Sequence, residues 1–282
     1  MLFRILIVAI AAITISTNAL SQNLMAANDP ASIADLRIAQ GDKDIAEAWL
    51  IAPTMRYPHF VQGSNYEAGG LRLRTREGRN LTLLLDETLV FEDRQPRLTD
   101  LDDDGRDEII LVLTSLEKGA SLAAYSIVDD EIRLKAKTPF IGRPYRWLNP
   151  AGIADFNGDG KLDVAFVAMP HLAKRLEYWT LSDHGFRQVG KIEDVSNHKN
   201  GSMHTGMSVT ADFDGDGITD LAIPDGSRRF IRVISFAGSK EREIERIPLP
   251  FSANGTFSIR KTNKGQTLSI PLDGGETVEV KF

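Results

Sequence analysis

The sequence predicts an all-β chain: a β-propeller of about five four-stranded blades, with an acidic loop between the first and second strands of a blade. Three observations predict it. Three loops of matching pattern begin 55 and 57 residues apart. Short apolar runs bounded by turn residues flank each loop, and four strand signals recur per repeat. Helical periodicity is hard to find after residue 30, while 23 Gly and 12 Pro supply turns throughout. An isolated four-stranded sheet leaves an apolar face wet, and stacking sheets around an axis covers it. Four blades with a C-terminal hairpin cap is the alternative arrangement.

The elements follow in chain order. Residues 1–21 read as a signal peptide: Arg4, a short apolar stretch from Ile5, then small residues at Ala19-Leu-Ser21. The stretch is too short for a standard membrane span. Residues 22–282 then form a single β domain. A first unit contains Gly41-Asp-Lys-Asp-Ile-Ala, a loop without its ligands, followed by strands at Gly70–Thr75 and Asn80–Leu85. The three intact repeats follow. Ala151–Ala154 and Met207–Ala211 lead into the second and third loops as inner strands, and Ile109–Thr114, Asp163–Ala168 and Asp220–Pro224 follow the three loops, apolar on both faces. Ser121–Val128, Arg175–Leu181 and Phe230–Phe236 come next, then Glu131–Lys135, Phe186–Ile192 and Glu243–Leu249. Three short C-terminal strands, separated by turns at 263–265 and 273–275, make a fifth unit. A strand from residues 31–39 would complete it and leave no raw edge.

The loops carry the chemistry. Each has an acid or Asn at positions 1, 3 and 5, a glycine at 6 and an acid at 9. The first offers Asp100, Asp102, Asp104 and Glu108, with the carbonyl of Arg106. The second offers Asp155, Asn157, Asp159 and Asp163, with the carbonyl of Lys161. The third offers Asp212, Asp214, Asp216 and Asp220, with the carbonyl of Ile218. Such oxygen sets suit calcium, which takes six to eight oxygens at about 2.3–2.6 Å in loose geometry. Without a cation the carboxylates repel one another. Position 12 is Leu111, Phe166 or Ile223 inside a strand, so these are not EF-hands. The expectation is about three structural Ca2+ ions.

The strings Ile153-Ala-Asp-Phe-Asn-Gly-Asp-Gly-Lys-Leu-Asp-Val-Ala and Val209-Thr-Ala-Asp-Phe-Asp-Gly-Asp-Gly-Ile-Thr-Asp-Leu resemble the FG-GAP/VCBS repeats of calcium-loop β-propellers, as in integrin α heads. Leu98-Thr-Asp-Leu-Asp-Asp-Asp-Gly-Arg-Asp-Glu matches with Glu at its last ligand position. The resemblance implies a propeller and a metal role for the loop residues, and is nearly silent on activity.

Composition narrows the rest. There is no cysteine, so no disulfide, and with the leader this points to a bacterial periplasmic or secreted protein. The formal net charge of −6 disfavours nucleic acid. No HExxH, Gly-x-Ser-x-Gly or cysteine nucleophile occurs among residues whose spacing would show one. A histidine pair, His198 and His204, precedes the third loop. Arg143, Tyr145, Arg146, Trp147, His198 and His204 fall on connections that would converge at one propeller end. Aromatic faces stack and arginines bind oxyanions, so that end suits an anionic or carbohydrate ligand. The sequence thus reads as a monomeric, exported calcium-binding propeller recognising an envelope protein or glycan, more a binding module than an enzyme. The alternative is a polysaccharide lyase or hydrolase acting at the same end.

Overall fold

A computed structural model describes residues 29–263 and 265–282. The expected signal peptide lies outside them. The first sheet has nine strands: β1 (Ala39–Gln40), β2 (Ile45–Thr54), β3 (Glu67–Thr75), β4 (Asn80–Leu84), β5 (Leu89–Phe91), β6 (Arg97–Thr99), β7 (Glu108–Ser115), β8 (Gly119–Val128) and β9 (Glu131–Lys137). Their order is β1-β2-β3-β5-β7-β8-β9, with β4 on β3 and β6 on β7. The second sheet is a meander of β10 (Leu148–Ala154), β11 (Asp163–Ala168), β12 (Arg175–Ser182) and β13 (Gly185–Ile192). The third repeats it with β14 (Val209–Ala211), β15 (Asp220–Pro224), β16 (Phe230–Ser235) and β17 (Arg242–Pro248). The last holds β18 (Ser258–Thr262), β19 (Gly265–Pro271) and β20 (Thr277–Lys281).

The strand types follow from burial. β7, β11 and β15, each directly after an acidic loop, are buried at every residue. Strands covered on both faces are written as continuous apolar runs, which is how these read. β9 and β17 are mostly exposed, as strands facing solvent are. Consecutive sheets share apolar clusters. Ile110, Val112 and Leu122 meet Trp147, Val164 and Phe166 between the first two sheets. Ala165, Val167 and Tyr178 meet Leu221, Ile223 and Phe236 between the next two. Met207, Ala222 and Val233 meet Leu268 and Ile270 at the C-terminal sheet.

This architecture corrects the expected propeller. The sheets hold nine, four, four and three strands rather than about five sets of four. They are separate, and none closes on itself or curls as a blade does. The first cause is β5. Val90 and Phe91 are fully buried, and the strand pairs with β7 on one side and touches β3 through Ala68–Phe91 on the other. It therefore fuses what equal spacing suggests are two units. The second cause is at the N terminus. β1 pairs with β2, and Ser32 bridges Ile51, so this segment joins the first sheet instead of completing the last. Four blades plus a cap fails for the same reason.

Candidate metal loops and a histidine-lined cavity

The acidic loops connect β6 to β7, β10 to β11 and β14 to β15, each pair antiparallel. Their backbones match. Gly105, Gly160 and Gly217 at position 6 have φ of 85°, 85° and 86°, a conformation glycine adopts without steric cost. Position 4 is left-handed too, as Gly158, Gly215 and, in the first loop, Asp103. The position-1 carboxylate organises each turn. Asp100 accepts from the amides of Asp104 and Gly105 at 3.0 and 2.9 Å. Asp155 accepts from those of Gly158, Asp159 and Gly160 at 2.7–3.1 Å. Asp212 accepts from Gly215 and Gly217 at 2.7 and 3.0 Å.

The position-9 acids are buried under the loops. Glu108, Asp163 and Asp220 all have no exposed surface, and burial pushes each carboxyl above its usual range. Their partners differ. Glu108 is fully satisfied: Oε2 accepts from the Leu101 amide at 2.8 Å and Oε1 from Lys135 Nζ at 2.8 Å. Asp220 accepts from the Phe213 amide at 2.9 Å through Oδ2 and is approached by the Ser235 hydroxyl, leaving Oδ1 without a well-formed hydrogen bond. Asp163 accepts from the Thr180 hydroxyl through Oδ1 and is approached by the Phe156 amide, leaving Oδ2 without a well-formed hydrogen bond. A buried polar atom left unsatisfied costs about 1–3 kcal/mol, more when charged.

Two sets of carboxylates are close enough to share one ion: Asp100, Asp102 and Glu108, and Asp212, Asp214 and Asp220. In the first, a side chain already supplies positive charge. Lys135 Nζ on β9 stands 2.7 Å from Asp102, 2.8 Å from Glu108 and 3.5 Å from Asp104. Lys43 adds a contact at 3.6 Å to Asp100. In the third loop, Arg242 reaches Asp214 at 2.5 Å from a half-exposed position, and that contact holds the Asp214 carboxyl below its usual range. No lysine or arginine forms an ion pair with the second loop's acids among the described residues. There Asn157 replaces an acid and donates to Asp159 at 3.2 Å. Lys135 and Arg242 have no signature in the loop motif, since they arrive from the last strand of their sheets.

The aromatic and histidine residues fall elsewhere. Tyr145, Arg146 and Trp147 line a cavity of about 300 Å3 together with His59, His171 and Asn200. Tyr145 stacks on Tyr57 with centroids 5.1 Å apart. Trp147 is buried and donates from Nε1 to the Glu92 carbonyl at 2.9 Å. His198 is buried behind the cavity, edge-on to Trp147 at 4.8 Å. Its Nδ1 lies 3.0 Å from His171 Nε2, and its Nε2 lies 2.9 Å from the Ser202 carbonyl. Arg143 and His204 are exposed and are not among the lining residues. His59 and His171 carried no assigned role in the sequence reading because no short spacing links them. Below His59 runs a buried polar network. His59 Nδ1 meets Glu92 Oε1 at 2.5 Å, and Thr114 donates to Glu92 Oε2 at 2.9 Å. Glu67, also without exposed surface, has no partner on either oxygen, and burial and Glu92 push it up to about 9.

A family model described as an FG-GAP-like repeat matches residues 155–223, which hold the second and third loops. The likeness is therefore held to that stretch, and the whole-chain resemblance to calcium-loop propellers is corrected by the open sheets. No curated protein matches the chain. Among solved structures, one described as the crystal structure of BBS1N in complex with ARL6DN, soaked with lead, is 12% identical. It covers 66% of this chain and 52% of its own, with a TM-score of 0.43. The chain thus spans about half the length of that structure. With no closed ring there is no propeller end, so the recognition surface and the lyase or hydrolase site expected there are both set aside. Among the described residues no helix is long and apolar enough to cross a membrane.

Proposed function

We propose that this chain is a calcium-stabilised β-sheet protein that holds Ca2+ in its second and third acidic loops, with Lys135 serving as the built-in cation of the first. The observation that carries this reading is the pair of buried carboxylates, Asp163 and Asp220, each with one oxygen that no well-formed hydrogen bond satisfies, beneath loops that offer further oxygens. Glu108, the equivalent acid of the first loop, lacks such an oxygen because Lys135 occupies it. The donors are all carboxylate, amide and carbonyl oxygens, which fits a hard cation. Calcium fits better than magnesium, because the loops are open to solvent at their tips and impose no strict octahedron. Arg242 does not exclude an ion from the third loop, since its pair with Asp214 lies at the surface, where solvent and salt screen it.

The loops lie between paired strands, so an ion there ties the start of β11 or β15 to the turn before it. Sites of this kind bind at roughly 10⁻⁴–10⁻³ M, which is useful where calcium is millimolar. That supports the extracytoplasmic location expected from the leader and the absence of cysteine. Binding only the folded chain adds about 2.7 kcal/mol per site at a hundred times Kd.

Asp163→Asn tests the reading through a change of sign. In EGTA the variant melts at or above the unaltered protein, because an unpaired buried carboxylate has gone. In calcium it melts below the unaltered protein, because a ligand has gone. Calcium-induced shifts of equal size in both proteins would remove the second loop as a site.

A further inference from the structure

The histidines beside the cavity form a second constellation, chemically unlike the acidic loops. The Ser202 carbonyl can only accept, so His198 Nε2, 2.9 Å away, carries that ring's hydrogen. Burial keeps His198 neutral, pushing it down to about 3. Its Nδ1 is therefore a lone pair, and it points at His171 Nε2, 3.0 Å away. His171 is neutral as well, pushed down to about 4 by burial first and then by Arg228. One hydrogen, on His171 Nε2, occupies the space between the two rings. Moving it to His171 Nδ1, the ring's other tautomer, leaves two lone pairs facing each other across 3.0 Å with no net change in protons, a repulsion that a cation between them relieves.

That convergence has the bite of a metal chelate. Imidazole nitrogens bind first-row metals at about 2.0–2.1 Å, and angles between square and tetrahedral then place two such nitrogens about 2.9–3.4 Å apart. The observed 3.0 Å lies in that range. A ligating histidine typically donates its remaining N–H to a carbonyl or carboxylate, as His198 does to Ser202. We propose that His171 Nε2 and His198 Nδ1 chelate a divalent transition-metal ion of the imidazole-preferring class, Zn2+, Co2+ or Ni2+, with its open positions facing the 300 Å3 cavity. His59 and Asn200 line the same cavity. The His59 ring rests its Nδ1 on the buried Glu92 carboxylate at 2.5 Å, leaving Nε2 without a protein partner among the described residues. Calcium does not compete, since it takes oxygen donors.

The test uses the full chain without a histidine tag, saturated with calcium so that the acidic loops are filled. Co2+ is added and read by its visible absorption, and Zn2+ is added and read by calorimetry. Equimolar binding of both is expected, with Co2+ bands of the intensity of a four-coordinate ion. His171→Gln abolishes both signals; the ring is half-buried, and near-ultraviolet circular dichroism confirms that the variant is folded. His184→Gln, at an exposed site on another turn, leaves both unchanged. Absence of an equimolar signal, or binding that survives His171→Gln, overturns the proposal and leaves the pair as a hydrogen bond between two neutral rings.

Discussion

At the scale of single residues, the three loops differ less in their acidic side chains than in what stands opposite them. Asp100, Asp155 and Asp212 organise their turns alike, and the residues at positions 1, 3, 5 and 9 were legible from spacing alone. Lys135 was not, because it lies 27 residues beyond Glu108 and reaches it only through strand pairing. Lys135→Ala is expected to cost about 1–3 kcal/mol in EGTA by stranding Glu108, and to add one calcium per chain. Thermal melts and calorimetric titration read the two effects; an unchanged calcium count would show that Lys135 is not the first loop's cation. Glu67 makes a separate prediction. Its ordinary value is 4.5 and in the folded chain it is about 9, so between these pH values the folded chain binds the extra proton. Stability from this group is fully present below about pH 4.5 and declines as pH rises toward 9, by up to about 1.4 kcal/mol per pH unit. Glu67→Gln should flatten that slope in urea melts across the window; a slope identical to that of the unaltered protein would mean Glu67 is ionised when folded.

At the scale of elements, the strands after the loops were legible because β7, β11 and β15 are largely apolar beyond their first residue and follow a recognisable loop. Their grouping was not. β5 is three residues long, and nothing in Leu89-Val-Phe91 states that it will pair with β7. Only its burial on both faces does so, and burial is a property of the assembled sheet. Phe91 packs edge-on against Tyr125 at 5.7 Å in the cluster shared by β3, β7 and β8. Phe91→Ala is expected to cost about 3–5 kcal/mol, read as a drop in the urea midpoint. A loss below about 1 kcal/mol would show that β5 does not hold the two halves of the nine-stranded sheet together. Gly190 makes a sharper local case. It sits beside the bulge that β13 makes at Val189, opposite Tyr178 and Trp179, where a Cβ would collide with the Phe236 ring. That ring stacks on Tyr178 with centroids 4.6 Å apart. Gly190→Ala should therefore destabilise by about 1–3 kcal/mol, as overpacking does, although alanine is ordinarily neutral in a strand.

At the scale of the molecule, one connection ties the sheets together. Between β13 and β14, Gly201 donates to the Val61 carbonyl at 2.8 Å, and Lys199 pairs with Asp273 at 2.6 Å. Asn149 of the second sheet donates to the Thr205 carbonyl at 2.8 Å. The same stretch carries His198. In the sequence it reads only as the connection that carries His198 and His204, and its role as a tie follows from contacts 48 to 140 residues away in sequence, which no local pattern encodes. The repeat spacing was likewise a true signal of two similar meanders and a misleading one for the whole chain, because the first sheet merges across its repeat boundary. The central claim is that two loops hold calcium and a lysine replaces it in the other. Calcium titration by calorimetry on the chelator-stripped chain tests it most directly. The account expects two ions per chain, with one lost in Asp163→Asn and the other in Asp220→Asn. A count of zero, or of three with Lys135 in place, would contradict it.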